Sequence, residues 1–539
     1  MPYPTDTEIR TRLAALATAA RPWCHIYSSS DPAGTVPHLE PSVLGVEWTC
    51  LKISKSSAAG RAKALILGGT HANEWAPPPA VLSCFEALLA AYDAGTPISY
   101  GTFNVSPAQI HAIVDNIDIY VAPIVNPDGF NASHAGSPGD QLLGRKNGRH
   151  VVVPSPGGYD GININRNFNI VWDYQVFYAP TAEDVAPAPP PAVNSNVASS
   201  KTAEDPNYIG TAAESEPETR NVKSLLDEGI LFFMDCHMYG PDILHSWGIE
   251  TNQTTDTNKN FHNPAFDHQR DGTTGTSNYQ EYIDSGDQVE VVGLASRMQT
   301  AINQATGATY TPQPGAQLYP TSGASDDYSY SRHIVDSTKP RILAYTLEAG
   351  SSGEGGHHPD FTTQYPKIEK EIHAAILALL TYVSTWVAPP ASGSSGPSNP
   401  SSRGGRCCLF SVLAGPLFAP SLRLLYELRD IRFRESARGR RFIGFVVRIY
   451  NVASPPAAAF FRRHDRLRKA VARYVFAPAV AFLRAASNLT SSFKSPALRV
   501  DALIAATLLV VVLCVATMTA VSAAALWLLF AVITGGAHA

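Results

Sequence analysis

Residues 64–95 read ALILGGTHANEWAPPPAVLSCFEALLAAYDAG, and the order of features in that stretch decides the fold class. Ala64-Leu65-Ile66-Leu67 is an unbroken apolar run closed by Gly68-Gly69, the pattern of a buried strand. A polar turn follows, His71-Ala72-Asn73-Glu74. Pro77-Pro78-Pro79 then opens an apolar-periodic stretch that stops near Gly95. Proline at the start and glycine past the end predict a helix there. A strand, a polar turn and a helix in succession form the repeating unit of an α/β domain.

Working outward, Ile117–Val125, Ile230–Met234 and Ile342–Leu347 predict further buried strands. Pro366 opens a second helix, in which Ile368, Ile372, Ile376, Leu380 and Val383 form one apolar stripe. The first twenty residues read as a short helix and lack the basic-then-apolar pattern of a secretory signal. Residues 181–206, rich in Pro, Ala, Asn and Ser, and the polar residues 251–277 predict loops. The expected fold is a single α/β domain over residues 1–388, with a mixed, mostly parallel twisted sheet flanked by helices.

Charge divides the chain. Of 41 Lys+Arg and 46 Asp+Glu, residues 401–539 carry 19 and 5, leaving 22 and 41 before them. Between the two parts, residues 389–405 (PPASGSSGPSNPSSRGG) predict a flexible linker. Residues 406–502 mix arginines with apolar and aromatic residues, as a basic membrane-proximal region would. Arg432, Arg434, Arg438, Arg440 and Arg441 form one cluster; Arg462, Arg463, Arg466, Arg468 and Lys469 form another. Leu503 to Thr534 is 32 residues without a charge. At about 1.5 Å per residue it exceeds what the ~30 Å hydrocarbon core requires, so 503–534 predicts a transmembrane helix. The basic clusters then face anionic lipid rather than nucleic acid, for which no recognised motif is present. Positive charge before the span predicts that this side, and the domain at 1–388 with it, is cytoplasmic. Seven scattered cysteines with no CxxC pair exclude a disulfide framework and a cysteine zinc site. Cys24 and Cys50 could pair, but reduced thiols are the default.

Four polar clusters fall at the ends of the expected strands: His71–Glu74, Asn126-Pro127-Asp128-Gly129, Asp235-Cys236-His237 and Glu348. In open α/β sheets the ligand crevice lies at the carboxyl ends of the strands. Two histidines and a glutamate, here His71, Glu74 and His237, are a standard catalytic zinc set with a position left for water. Zinc lowers the pKa of that water toward ~7. A separate carboxylate must then take the proton and pass it to the leaving amine, and Glu348 is the candidate.

In this order the chain resembles the zinc metallocarboxypeptidases, the carboxypeptidase A and B family. The matching pieces are HANEW, NPDG, GRKN, NINRNF, SEPET, DCHMYG, LYPTSGASDDYSY and YTLEAG, within residues 5–385. The resemblance implies that His71, Glu74 and His237 bind one Zn2+ and that Glu348 is the general base. It implies that Arg145 stabilises the oxyanion, that Asn165 and Arg166 hold the substrate's terminal carboxylate, and that Tyr319 closes over the substrate. The substrate implied is a peptide with a free C-terminal carboxylate, which loses one residue at a time. Asp326 matches a position that is apolar in the A-like enzymes and Asp in the B-like ones. It hints at a preference for C-terminal Lys or Arg, and its surroundings read as a loop. Two positions depart from the family. Asn73 stands where many members carry Arg, and Asn163 stands where an Asp usually orients the first zinc histidine. An Asn carbonyl still accepts that hydrogen bond, without charge.

Two other functions remain open from the sequence. One is an amide hydrolase of the same family acting on cell-wall-type peptides. The other is an inactive membrane-attached peptide-binding module that keeps the fold but not the activity.

Overall fold

A computed structural model describes residues 3–386 except 33–34, 56–59, 137–139, 154, 156–157, 180–195, 271 and 273–278. These residues fall within one compact unit, Met1–Ala391. The linker at 389–405, the basic region at 406–502 and the span at 503–534 lie outside the described residues. Among the described residues no helix is long and apolar enough to cross a membrane.

The strands are β1 (Cys24–Ser28), β2 (Thr49–Ile53), β3 (Ala62–Gly68), β4 (Ile98–Tyr100), β5 (Phe103–Val105), β6 (Ile117–Ala122), β7 (Phe232–Met238), β8 (Asp242–His245), β9 (Gln253–Thr254), β10 (Glu281–Tyr282), β11 (Thr311–Pro314) and β12 (Leu343–Ala349). The helices are α1 (Asp6–Ala14), α2 (Pro77–Ala94), α3 (Pro107–Asn116), α4 (Pro127–Ala135), α5 (Tyr174–Phe177), α6 (Pro217–Leu226), α7 (Ser285–Thr306), α8 (Ser325–Val335) and α9 (Tyr365–Ser384). Eight strands make the main sheet in the order β1-β2-β6-β3-β7-β12-β8-β11. The centre, β6-β3-β7-β12, is parallel throughout; β1–β2, β2–β6 and β12–β8 are antiparallel.

Side-chain alternation along β3 builds a core on each face of this sheet. Ala64 and Ile66 point to one side, where they join Phe85 and Leu88 of α2, Ile110 of α3, Leu294 of α7 and Ile372 and Ile376 of α9. Leu65 and Leu67 point to the other, with Val222 and Leu225 of α6 and Tyr328 and Tyr330 of α8. Helix α2 has proline in its first turn and ends at Gly95, whose φ of 64° is the left-handed conformation glycine adopts without strain. Phe85 is fully buried in the larger cluster. Phe85→Ala is expected to cost about 3–5 kcal/mol, through lost transfer energy and the cavity left behind. Urea unfolding followed by tryptophan fluorescence measures it.

The expected helices and strands are present, with four differences. The expected strand Ile342–Leu347 runs on through Glu348 to Ala349. The expected strand Ile117–Val125 stops at Ala122, because Pro123 has no N–H for the ladder. Residues 230–234 were expected to end a strand before Asp235, yet β7 runs through to Met238. It is paired to β3 as far as Cys236 and to β12 as far as Met238, so its ladder continues past the polar residues. Asp326 was expected in a loop and instead lies buried in the first turn of α8. In residues 251–277 the described residues include β9 and a 3-10 turn at Pro264–Phe266. The expected loop at 181–206 is described only from residue 196 onward, where Ser200 bridges Tyr208. Cys24 and Cys50 are free and buried. The β1–β2 register sets Cys24 opposite Ile53 and Cys50 opposite Tyr27, so the two thiols are not partners.

Candidate metal and catalytic site

The site forms where β3, β7 and β12 end side by side. After β3 the chain turns sharply, and the N–H of Glu74 donates to the carbonyl of His71. This turn holds both side chains on one side. On β7, His237 projects to the same place, since Gly68 pairs with Cys236 across the β3–β7 ladder. Register on the other flank sets Glu348 of β12 directly opposite His237.

His71, Glu74 and His237 each offer one ligand atom, and these atoms lie within 4.8 Å of one another. Glu74 Oε1 is 2.9 Å from Nδ1 of His71, and its Oε2 is 3.0 Å from Nδ1 of His237. The N–H of Met238 also donates to Oε2, at 3.0 Å. All three side chains are buried. Both Nδ1 atoms and the carboxylate thus turn to one point. Imidazole nitrogens and a carboxylate oxygen are zinc donors, so the residues fit that ion.

Behind the rings the surroundings differ. Nε2 of His71 faces Asn163 Oδ1 at 3.0 Å, and Asn163 is itself held through Nδ2 to the carbonyl of Pro206. Nε2 of His237 faces Asp235 Oδ2 at 3.2 Å, an oblique ion-pair contact rather than an aligned hydrogen bond. The electrostatics follow. Burial and the nearby Arg145 hold His71 well below the usual histidine range. Burial pushes His237 the same way, but the carboxylates of Asp235 and Glu74 outweigh it and raise His237 well above that range. For Glu74, burial is outweighed by the two histidines, and its carboxyl is lowered.

Glu348 is outside the donor trio. Burial is the main influence on it and pushes its carboxyl up to about 7, with His237 and Arg145 opposing and Glu74 and Asp242 assisting. Arg145 reaches into the same space. Its Nη1 is 3.2 Å from Nδ1 of His71 and 3.8 Å from Glu74 Oε1, and Nη2 donates to Asn207 Oδ1.

The 3-10 turn Ile164–Arg166 supplies the next pair. Arg166 is buried, with Nε donating to the carbonyl of Ala198 and Nη1 to that of Asn165, which fixes the plane of its guanidinium. Asn165 Oδ1 accepts from the N–H of Ser325, leaving the amide's donor side for a ligand. Tyr319 is 40% exposed. Its hydroxyl is within hydrogen-bonding reach of Arg166, the residue whose cationic form it supports against burial. Asp326 accepts from the N–H of Asp327, and burial raises its carboxyl. All nine residues singled out in the sequence therefore belong to one region, linked by β3, β7, β12 and the start of α8.

Sequence reading left several neighbours without a part. Asp235 is one, although its spacing of two from His237 on a strand already sets both on the same face. Asn207 was unmarked as well, since nothing local shows that it meets Arg145. The side chain of Asn73 donates to the carbonyl of Gln141, so in this chain it ties down a loop.

A family model described as zinc carboxypeptidase matches residues 32–374. Human carboxypeptidase O is 24% identical over 62% of this chain and 70% of its own length. Carboxypeptidase B of Bos taurus is also 24% identical, over 59% of this chain and 57% of its own. A crystal structure of carboxypeptidase A from Helicoverpa armigera aligns with 71% of this chain and 73% of that one, at 18% identity and a TM-score of 0.48.

Proposed function

Because this chain belongs to the zinc carboxypeptidase family, its chemistry is hydrolysis of C-terminal peptide bonds, and we propose that His71, Glu74 and His237 hold one zinc ion for it beside Glu348 as general base. The observation that carries this reading is the convergence of three donors within 4.8 Å, with Glu348 in register beside His237. A bound zinc ion supplies Lewis-acid polarisation of the scissile carbonyl and a water of lowered pKa.

The chain's own groups account for the rest. Glu348 takes a proton and returns it to the leaving amine. Arg145 aims its N–H groups at the oxygen on which negative charge develops. Arg166, with its guanidinium plane fixed, and the donor side of Asn165 receive the terminal carboxylate, and that contact restricts the enzyme to chain ends. Tyr319, half-exposed at the rim, closes over the bound residue. Asp326 lies buried and receives a cationic side chain, so C-terminal Lys and Arg are preferred over Leu and Phe.

The test follows amino acids released by the full-length protein from peptides ending in Lys, Arg, Leu or Phe, with and without a chelator. Release is expected only without chelator, and fastest for Lys and Arg. Asp326→Leu is expected to shift the ratio of basic to apolar kcat/KM by roughly 100-fold or more toward apolar, since an unpaired buried charge is no longer relieved by the substrate. An unchanged ratio removes Asp326 from the specificity pocket. No release from any peptide by zinc-loaded protein would favour the amide hydrolase of cell-wall-type peptides.

We also propose that the protein is attached to a membrane, with its catalytic domain on the cytoplasmic side. Support comes from the uncharged run 503–534 and the arginine clusters before it. Partition of the full chain with membranes, compared with a chain lacking 503–534, tests it.

A further inference from the structure

The two histidines of the trio are backed unequally. Each turns Nδ1 toward Glu74 and Nε2 back into the protein, where His71 meets the neutral amide of Asn163 and His237 meets the carboxylate of Asp235. Asp235 has no exposed surface. A carboxylate so placed is costly unless its lone pairs are satisfied and its charge is used. Its hydrogen-bond donors are two neutral hydroxyls. Thr70 Oγ1 lies 3.0 and 2.9 Å from the two carboxylate oxygens, and Ser325 Oγ donates to Oδ2 at 2.9 Å. They orient the group without neutralising it, and the imidazole of His237 is the ring it faces, at 3.2 Å. Asp235 and His237 are two residues apart on β7, so the strand itself fixes their common face.

We propose that Asp235 is a positioning residue of the metal centre: its buried carboxylate holds the ring of His237 in the orientation that turns Nδ1 to the metal and strengthens that nitrogen as a donor. The inference rests on the reading that His71, Glu74 and His237 hold zinc. A carboxylate behind a metal-bound imidazole fixes its tautomer and raises its basicity, and loss of such a partner weakens metal binding by about 10–100-fold. Asn163 makes the corresponding contact to His71 without charge, so His237 is the stronger of the two nitrogen donors. Thr70 adjoins His71 and Ser325 adjoins Asp326. Asp235 therefore also joins the loop that carries one ligand to the helix that opens the proposed specificity pocket.

Zinc affinity of the full chain, measured by competition with a chromogenic chelator at fixed pH, tests this without reference to turnover. Asp235→Asn is expected to weaken zinc binding 10–100-fold. Adding Asn163→Asp to that variant is expected to recover most of the loss, because it restores a carboxylate behind the opposite ring. A role confined to tying Thr70 and Ser325 together gains nothing from a charge behind His71, so loss without recovery overturns the proposal. Zinc affinity of Asp235→Asn within threefold of the parent overturns it as well. Asp235→Ser keeps a small hydrogen-bonding oxygen on the same strand position. It is carried through the same cycle, and it decides the matter if Asp235→Asn does not fold. His237→Ala separates the two levels. If the parent chain holds no zinc, or His237→Ala holds it as tightly, the zinc reading fails and this inference with it. If His237→Ala loses zinc while Asp235→Asn keeps it, this inference alone fails.

Discussion

Glu348→Gln is expected to lower kcat/KM for C-terminal hydrolysis by about 10²–10⁴-fold while zinc binding stays within a few-fold of the parent. The substitution keeps the shape of the side chain and removes its capacity to accept a proton. Glu348 is not one of the three converging donors, so the metal should remain. The pH profile gives a second reading of the same group. Burial raises the Glu348 carboxyl to about 7 in the metal-free protein. A carboxyl with a raised pKa must first lose its proton to serve as a base, so activity falls as pH falls through that value. A bound cation favours the carboxylate and draws the pKa down. The acid limb of kcat/KM is therefore expected below about 7 in the zinc enzyme and should be absent from the residual activity of the variant. A variant that turns over at the parent rate, or one that has lost its zinc, would remove Glu348 from the role of base.

The second large effect is expected at Arg145. Arg145→Ala should reduce kcat by about 10²–10³-fold, the usual consequence of losing one preorganised donor to a developing oxyanion. The change in KM should be smaller, because the contact strengthens only as charge builds on the carbonyl oxygen. Arg145 is held by Asn207 and by the Nδ1 edge of His71, and its side chain is 12% exposed. The guanidinium therefore stands beside the donor trio before any substrate arrives. Burial and this cation are what hold His71 neutral, the form in which an imidazole can serve as a ligand. Steady-state kinetics and zinc content measured on the same preparation separate the two contributions. A rise in KM with kcat unchanged would reassign Arg145 to ground-state binding.

Much of the centre was legible because its signals are local. Ala64–Leu67, the glycines after it and the prolines that open α2 announce a strand, a turn and a helix through short-range sterics and apolar periodicity. His71 and Glu74 share one turn and need nothing distant to bring them to the same side. The stripe Ile368 to Val383 on α9 is likewise a property of helical period alone. The C-terminal half of the centre is different in kind. His237 and Glu348 become neighbours only because β12 lies parallel to β7 in one register, and a slip of one residue would turn Glu348 to the opposite face.

The same limit explains the misread boundaries. Polar residues in mid-strand look like a strand's end, and only pairing to β3 through Cys236 and to β12 through Met238 reveals that β7 continues. Asp326 looked like a loop carboxylate because helix α8 opens with Ser-Asp-Asp, a polar first turn that burial against the sheet makes interior. The sequence by itself determined the α/β class, the donor types and the order in which they occur, since these depend on residue chemistry and local period. Tertiary structure alone decided which nitrogen of each histidine faces Glu74, and that the carboxylate of Asp235 backs the ring of His237. Those outcomes depend on distances between segments far apart in the chain, which only sheet register and packing set.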